Sequence, residues 1–186
     1  MQLRRLAATT AVAFAAATSL AACGSGEEPT RGKTEGVYVT TGELKYQVQI
    51  SRQLNAADFE DRDYLTGLPA SDTLGQGEEW FAVFIRVFNQ SEDAHPSASR
   101  FTIKDTTGKT FQPVPLDLNV NRVAYRPLTV QPGDQIPVPG SLARENATQG
   151  GLILFKIPVA SYANRPLELH IAPPEGGAEA TVDLDV

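Results

Sequence analysis

Hydrophobic and polar residues alternate with a period close to two in several stretches of the chain. Over residues 44–51 the apolar side chains fall on every second position. Residues 167–171 and 178–186 alternate in the same way, and Pro173 to Gly177 lie between them. A period of two indicates strands with one buried face, and a break rich in Pro and Gly between two strands indicates a hairpin. The pattern therefore predicts a strand at 44–51 and a hairpin at the C-terminal end.

Two other stretches, Trp80–Phe88 and Leu152–Ile157, are apolar at nearly every position. A strand that is covered on both faces has this composition. We predict that both are central strands.

Turn signals separate further short strands. Phe101–Ile103 lead into Asp105-Thr106-Thr107-Gly108, a hairpin turn with Gly where φ is often positive, and Pro132-Gly133 fit the two central positions of a type II turn. The other short strands predicted are 123–125, 128–130 and 136–138, and Pro137 and Pro139 restrict the last of these to a sheet edge.

This series of about seven or eight short strands, with no long helical pattern, predicts an all-β protein with an antiparallel β-sandwich. A closed barrel is the alternative that periodicity leaves open. Residues 53–79 break the strand rhythm, and we interpret them as a short helix plus loop inserted between the first two strands. Asn55 is predicted to cap that helix, with Asp58 three residues on, and Tyr64, Leu65 and Leu68 to hold it across one end of the sandwich.

The first residues have the pattern of an export signal. Arg4 and Arg5 precede an apolar run over residues 6–20, which is too short for a transmembrane helix of about 20 residues. The run ends in Leu20-Ala21-Ala22-Cys23-Gly24, which resembles the lipobox of bacterial lipoproteins. The resemblance implies that residues 1–22 are a signal peptide, that Cys23 carries a diacylglyceryl group, and that Cys23 begins the mature chain. A plain secretory signal with Cys23 as an accidental thiol is the alternative, but Cys23 is the only cysteine and stands at the lipobox position.

Lipidation of Cys23 would fix the location and the redox chemistry. The predicted partner is a membrane, bound through the lipid: the outer face of the cytoplasmic membrane, or a periplasmic membrane face in a cell with two membranes. Two or more acyl chains hold a protein stably, whereas one does not. No thiol would then remain for a disulfide or for a nucleophile.

Residues 24–42 are small, polar and charged, so we expect residues 23–42 to be a lipidated disordered tether and residues 43–186 to form the sandwich domain.

The charge of the mature chain excludes one class of partner. Residues 1–22 hold two of the 16 basic residues and none of the 22 acidic ones, so 14 basic and 22 acidic residues give a net charge of −8. An exported protein with this charge is a poor candidate for binding nucleic acid.

The sequence offers few candidates for chemistry. Asp58, Glu60, Asp61 and Asp63 form the densest acidic group, but Arg62 stands at the fifth position of an EF-hand count from Asp58 and no Gly stands at the sixth. We interpret this group as an exposed helix face and, together with Tyr64, as a possible interaction surface.

His170 is expected on the solvated face of its strand, because one His with scattered carboxylates fits no metal-ligand spacing. No catalytic residue, metal or cofactor is predicted.

Several segments resemble, in the same order, the strands and turns of a bacterial family of unknown function. They are the run Trp80–Ser91 ending in Asn-Gln-Ser, the hairpin Phe101–Gly108, the turn Leu128–Gly133, the strand Gly151–Pro158 and the closing Leu167-Glu168-Leu169. The lipoproteins and secreted proteins of that family carry an immunoglobulin-like sandwich, related in fold to a small secreted mycobacterial antigen. The resemblance implies an immunoglobulin-like sandwich and supplies no activity or catalytic residue.

Three functions remain open on the sequence. We expect a non-enzymatic binding or protein-interaction module on a membrane surface, since no catalytic constellation is present. A small-ligand or metal-binding lipoprotein is the alternative. A hydrolase that uses carboxylates such as Asp58 or Asp61 is the third hypothesis and would need a cleft with raised carboxyl pKa values.

Overall fold

The computed structural model describes residues 29–186, and these residues form two packed β-sheets, a separate two-stranded sheet and three short helices. In chain order the strands are β1 Arg31–Gly32, β2 Tyr38–Thr41, β3 Leu44–Leu54, β4 Glu78–Phe88, β5 His95–Pro96, β6 Arg100–Lys104, β7 Thr110–Phe111, β8 Thr129–Val130, β9 Gln135–Ile136, β10 Gly151–Pro158, β11 Leu167–Ala172 and β12 Ala180–Leu184. The helices are α1 Phe59–Tyr64, α2 Leu142–Glu145 and a 3₁₀ helix at Val159–Ala163. None of the helices in this part of the chain is long and apolar enough to cross a membrane.

Sheet I has the strand order β1-β12-β11-β6-β7, and sheet II has the order β10-β4-β3-β2 with β9 paired to β4. Their facing side chains form one buried cluster, in which Tyr46 and Phe81 of sheet II meet Ile103 and Leu169 of sheet I. This packing confirms a β-sandwich. Strands β11 and β12 form the predicted C-terminal hairpin, with Leu167 opposite Leu184.

Sheet II is covered on both faces, which explains its apolar strands. Alternate residues of β4 face the core between the sheets, and Trp80, Ala82 and Phe84 face outward into a second cluster with Leu152 and Leu154 of β10. Strand β4 lies between β3 and β10, as predicted for a central strand. Strand β10 lies at the end of the strand order, but its outer edge is covered by isolated bridges from Pro113 and Ala124. The segment 123–125, predicted as a strand, contributes only the second of these bridges.

The prediction that residues 23–42 form a disordered tether is wrong for the part that the structure describes. Strand β1 pairs in parallel with β12, and β2 pairs antiparallel with β3. Their short, polar sequences carry too little periodicity to identify, and they become ordered because longer strands supply the hydrogen-bonding partners.

The parallel pair also makes sheet I mixed, whereas we predicted an entirely antiparallel sandwich of about seven or eight strands. The additional strands β1, β5 and β7 have two residues each, which is too short for an alternating pattern.

The insertion between β3 and β4 does hold a short helix, but its cap and its position differ from the prediction. Asp58 caps α1, and its Oδ1 accepts a hydrogen bond of 2.8 Å from the Glu60 N–H. The predicted cap, Asn55, instead accepts from the Ala57 N–H in a turn before the helix. The helix lies on the outer face of sheet II, where Tyr64 packs edge-on against Phe84 at 5.0 Å between ring centroids. The apolar outer face of β4 attracts Tyr64 there, rather than across an end of the sandwich.

Candidate functional site

Cys23, the predicted lipid attachment site, lies outside the described residues. Its lipidation stays a prediction from the sequence.

The predicted acidic interaction surface is divided by the fold. Asp58, Glu60 and Asp63 are exposed, whereas Asp61 and Tyr64 are buried, with 6% and 7% of their surfaces accessible. The prediction that all five residues form one exposed surface is therefore wrong. One helical turn places Asp61 and Tyr64 on the side of α1 that faces sheet II, and the other three residues point to solvent.

Asp61 is held by hydrogen bonds at both carboxylate oxygens. Its Oδ1 accepts from Arg52 Nη2 at 2.5 Å, and its Oδ2 accepts from the Asn55 N–H at 2.7 Å. Burial opposes the charge of Asp61, but the two hydrogen bonds and the positive charge of Arg52 outweigh it, so the pKa of the carboxyl lies below its usual value. Asp61 is thus a charged structural residue that joins α1 to β3.

His170 is buried, with 8% of its surface accessible, which corrects the prediction of a solvated position. Its Nδ1 lies 2.8 Å from Glu179 Oε2 and 3.4 Å from Lys104 Nζ. Its Nε2 lies 2.8 Å from Glu168 Oε1 but forms no hydrogen bond with it. Arg31 extends the network by an ion pair of 2.8 Å with Glu168. The network ties three strands of sheet I, β1, β6 and β11, to the turn before β12. Residues 29–186 contain no group of three or more His, Cys, Asp or Glu that could hold a metal.

The long connection between β7 and β10 forms the clearest concave surface. An apolar cleft of about 140 Å³ opens beside β10, between two parts of this connection. Its lining consists mainly of Phe101, Val114, Leu116, Leu118, Tyr125 and Leu152. Exposed apolar side chains follow on the same connection, at Val120, Leu128, Val138 and Leu142, each 44% to 55% accessible. This concentration of apolar surface is typical of a binding surface.

A smaller cleft of about 60 Å³ lies on the other side of Ala124 and Tyr125, and Arg122 and Arg126 line it. Both arginines are exposed. Arg126 donates a hydrogen bond to the Leu118 carbonyl, while Arg122 has no ion pair or hydrogen bond with any residue from 29 to 186. Positive charge therefore lines the smaller cleft, next to the apolar one, in a protein whose net charge is negative.

Buried polar groups hold the wall between the two clefts. The Tyr125 hydroxyl donates to the Ala98 carbonyl at 2.9 Å, and burial raises the pKa of that hydroxyl above its usual value. Asn121, which is fully buried, accepts from the N–H groups of Val123 and Ala124 and donates to the carbonyls of Tyr64 and Thr66. Neither role could be predicted from the sequence, since neither residue belongs to a motif and the carbonyls to which they donate lie far away in the chain.

With this geometry described, the chain can be compared with known proteins. No family model matches its sequence, and no curated protein does. The fold resembles that of the yjhA protein from Bacillus subtilis. The crystal structure of that protein superposes with a TM-score of 0.55 at 14% identity, over 82% of this chain and 99% of the other. An uncharacterized beta-sandwich protein from Clostridium difficile 630 aligns with a TM-score of 0.42 at 7% identity, over 86% of this chain and 98% of the other.

The likeness to the yjhA protein supports the fold alone, because 14% identity does not transfer a site. The function must therefore be argued from the residues of this chain.

Proposed function

We propose that this protein is a membrane-anchored, extracytoplasmic lipoprotein whose sandwich is a non-enzymatic protein-interaction module. The apolar cleft of about 140 Å³ beside β10 carries this proposal. The anchor is the lipid on Cys23, which the lipobox-like sequence supports.

The cleft and its border indicate the chemistry of the partner. Binding free energy at protein interfaces concentrates where a few apolar or aromatic side chains enter well-packed pockets. The cleft has room for one such side chain, and Arg122, which has no partner among residues 29–186, can bind a carboxylate in the adjoining smaller cleft. The partner is thus a protein segment that carries an apolar side chain next to an acidic residue.

The short link between Cys23 and the fold supports a position of the domain close to the membrane. Only five residues separate Cys23 from Pro29, the first residue that the structure describes, and a chain extends at most about 3.6 Å per residue. The lipidated residue and the start of the domain are therefore within roughly 20 Å of each other. With the domain held this close to the lipid, a partner that is itself in the membrane or bound to it is within reach.

The hydrolase hypothesis receives no support from the two carboxylates considered for it. A general acid or base needs a raised carboxyl pKa, whereas that of Asp61 is lowered by its contacts with Arg52 and Asn55 against the effect of burial. Asp58 is exposed and its carboxylate caps α1. Both are accounted for by structural roles.

The small-ligand alternative has one observation in its favour, the size of the apolar cleft. Apolar cavities of about 150 Å³ bind molecules such as benzene. The cleft here is open to solvent along the connection between β7 and β10, which suits a side chain presented by a larger partner.

Photo-crosslinking in the native membrane tests the proposal. A photoreactive amino acid is placed at Leu128 or Val138, which line the smaller cleft on the other side of Ala124 and Tyr125. The control position is Val159, which is similarly exposed, at 45%, but lies on the 3₁₀ helix. We expect one discrete adduct from Leu128 and Val138 and none from Val159. Filling the cleft by Ala124→Leu should remove that adduct. Equal adducts from all three positions, or an adduct that survives A124L, would contradict an interaction through the cleft.

The anchor is tested separately by Cys23→Ser. We expect this variant to leave the membrane fraction, whereas a variant that stays membrane-bound without lipid labelling would argue against anchoring through Cys23.

We also infer that the sandwich is an immunoglobulin-like variant related to the family that the sequence resembles. The resembling motifs have structural roles. Asn89 of the Asn-Gln-Ser sequence is buried, donates to the carbonyls of Asp93 and Val130, and accepts from Ser91. Asp105 accepts from the N–H groups of Thr107 and Lys109 in its turn. A structure of a family member should show the same two turns between the same strands, and a different strand order there would contradict the relationship.

A further inference from the structure

Glu79, near the start of β4, is a partly buried carboxylate without a partner. It has neither an ion pair nor a hydrogen bond with any residue between 29 and 186. Its Oε2 is shielded from solvent, whereas its Oε1 remains accessible. A partly buried charge that nothing neutralises is costly, so this carboxylate indicates a cation that comes from outside the chain.

Glu79 lines a cleft of about 450 Å³ beside the end of β3, and we call it the Glu79 cleft. Its volume lies within the range of about 300–1,000 Å³ that small-molecule sites occupy. Leu54 and Leu74 give the cleft apolar walls, and the amide side chains of Gln53 and Asn55 also line it. The Glu79 cleft therefore offers apolar surface and polar acceptors next to an accessible carboxylate oxygen.

The charge in the cleft is negative. The lining contains one other charged residue, Asp61, and no Lys, Arg or His. Asp61 is already neutralised by Arg52 and accepts from the Asn55 N–H at 2.7 Å, which also fixes this wall of the cleft. The charge of Glu79 is therefore the one that a ligand would meet.

Hydrogen bonds hold the opposite wall as well. Lys156 donates from its Nζ to the Thr73 carbonyl at 3.1 Å, and the Gly75 N–H donates to Glu78 Oε2 at 2.7 Å. Leu74 lies between these two fixed residues. A cleft whose walls are held before the ligand arrives loses less conformational entropy on binding.

We propose that the Glu79 cleft binds an alkylammonium group. An ammonium has three donors, which suit Glu79 Oε1 and the amide oxygens that line the cleft, and its aliphatic stem can lie along Leu54 and Leu74. A guanidinium fits less well, because its paired donors need two carboxylate oxygens and Oε2 is shielded. The lysine side chain of another protein and a free aliphatic amine share this chemistry.

The Glu79 cleft is separate from the surface proposed for protein interaction. It shares no lining residue with the apolar cleft or with the smaller cleft beside it. Ammonium binding and crosslinking through the apolar cleft can therefore succeed or fail independently.

Nuclear magnetic resonance titration of the full lipidated chain, isotope-labelled and in an alkyl maltoside detergent, tests the proposal. The probe is Nα-acetyl-lysine methylamide, and the comparison is Nα-acetyl-norleucine methylamide, which has the aliphatic stem without the charge. We expect the lysine derivative to cause saturable shifts of the backbone amides of Asn55, Leu74 and Gly75. The norleucine derivative should bind more weakly by roughly tenfold or more, because the charge-assisted hydrogen bond is lost.

Three variants locate the effect. Glu79→Gln removes the charge and should weaken binding of the lysine derivative by roughly tenfold or more. Glu79→Asp keeps the charge but withdraws the carboxylate by one carbon, and it should also bind more weakly than the native protein. Glu60→Gln removes a charge from an exposed position on α1 outside the cleft and should change the affinity by less than about twofold.

Thermal unfolding guards against a structural explanation. Without the probe, Glu79→Gln removes an unpaired and partly buried charge, so the melting temperature should rise or stay unchanged. A clear fall in the melting temperature of E79Q would show that Glu79 already has a stabilising partner in the chain, and would overturn the proposal.

A titration with 1,5-diaminopentane identifies the source of the ammonium group. Tighter binding of this diamine than of the lysine derivative indicates a free amine, and the reverse indicates a lysine presented by another protein. Equal binding of the lysine and norleucine derivatives, no saturable shift at the cleft with either amine, or full binding by folded E79Q would each overturn the proposal.

Discussion

Asp61 and Asp63 lie two residues apart on α1 in opposite surroundings. Asp61 is buried against Arg52 and Asn55, whereas Asp63 is exposed. Removing the charge of a buried, hydrogen-bonded carboxylate leaves its donors without a full acceptor, and the same change on the surface costs little. The two positions therefore form a matched pair for measuring what burial contributes.

We expect Asp61→Asn to lower the free energy of unfolding by about 1–3 kcal/mol, while Asp63→Asn changes it by less than about 0.5 kcal/mol. The effect should depend on pH. Since the pKa of Asp61 is lower in the folded state, its ionised form stabilises the protein above about pH 4, and this contribution disappears as the pH falls through the folded pKa. Urea denaturation of both variants at neutral and acidic pH measures this. An equal loss for D61N and D63N at neutral pH would show that the contact with Arg52 contributes nothing.

Asn121 has four hydrogen bonds and no exposed surface, so its amide joins the insertion after α1 to the wall of the cleft. We predict that Asn121→Ala destabilises the protein by about 2–4 kcal/mol, because it leaves several buried backbone groups unpaired. The control is Asn119→Ala, two residues away and exposed. Denaturant unfolding compares the two variants, and a loss for N121A no larger than for N119A would contradict the bridging role.

At the scale of elements, the segment before β2 is fastened to the sandwich by Glu35. Its Oε2 accepts from the Ser51 N–H of β3 at 3.0 Å, and its Oε1 accepts from the Ser51 hydroxyl and from the Asp185 N–H. The same segment reaches Asp185, whose Oδ2 accepts from the Thr34 hydroxyl at 2.7 Å. One carboxylate therefore joins the first strands to the middle of β3 and to the end of β12.

We expect Glu35→Gln to lower the free energy of unfolding by about 1–2 kcal/mol. The glutamine amide has only one oxygen, so it cannot accept all the hydrogen bonds that the two carboxylate oxygens accept. Backbone amides of residues 31–37 should lose protection against hydrogen exchange before the rest of sheet I does. Glu43→Gln changes the same charge at an exposed turn and is the control. Unaltered protection of residues 31–37 in E35Q would mean that pairing with β12 alone fixes this segment.

At the scale of the whole molecule, the chain enters the fold at one end of the sandwich. The Pro29 carbonyl accepts from the Thr40 N–H, and the neighbouring Thr41 hydroxyl donates to the Ala178 carbonyl in the turn between β11 and β12. The exposed residues of this end are largely acidic: Glu43, Glu92, Asp93, Asp134, Glu175 and Glu179. Because the link to Cys23 is short, we expect this end of the domain to face the lipid. Its negative charge should be repelled by an anionic lipid surface and so keep the domain from lying flat on it.

Energy transfer to a membrane dye tests this orientation. The lipid occupies the native thiol in our proposal, so Glu175→Cys and Glu60→Cys each provide a single labelling position, at the anchor end and on α1. The strands between these ends span roughly 35 Å, from eleven residues of β3 at about 3.3 Å each. Transfer should be clearly stronger from position 175 than from position 60. Equal transfer would indicate a domain that lies flat or tumbles freely on a longer tether.

The long strands, the C-terminal hairpin and the turns at Asp105 and Gly133 could be predicted from the sequence. The alternation of apolar and polar residues and the residue preferences of turns are local properties of the chain. The sequence also predicted the β-sandwich, since strands that are apolar on one face must pack in pairs. For β3 the pattern predicted the strand correctly, but not which residues face the core along its whole length. An irregularity between Val48 and Ile50 leaves Ile50 40% exposed and Ser51 buried.

Which polar residues are buried, and what they contact, depends on the fold and could not be predicted from local patterns. The strands β1 and β2, the burial of Asp61 and His170 and the hydrogen bonds from the Asn121 amide to the carbonyls of Tyr64 and Thr66 all depend on partners far away in the chain. No local pattern records such a partner, because hydrogen bonding and desolvation act through space. The apolar cleft likewise arises only where the connection between β7 and β10 folds back over sheet II, and it carries the proposal for function.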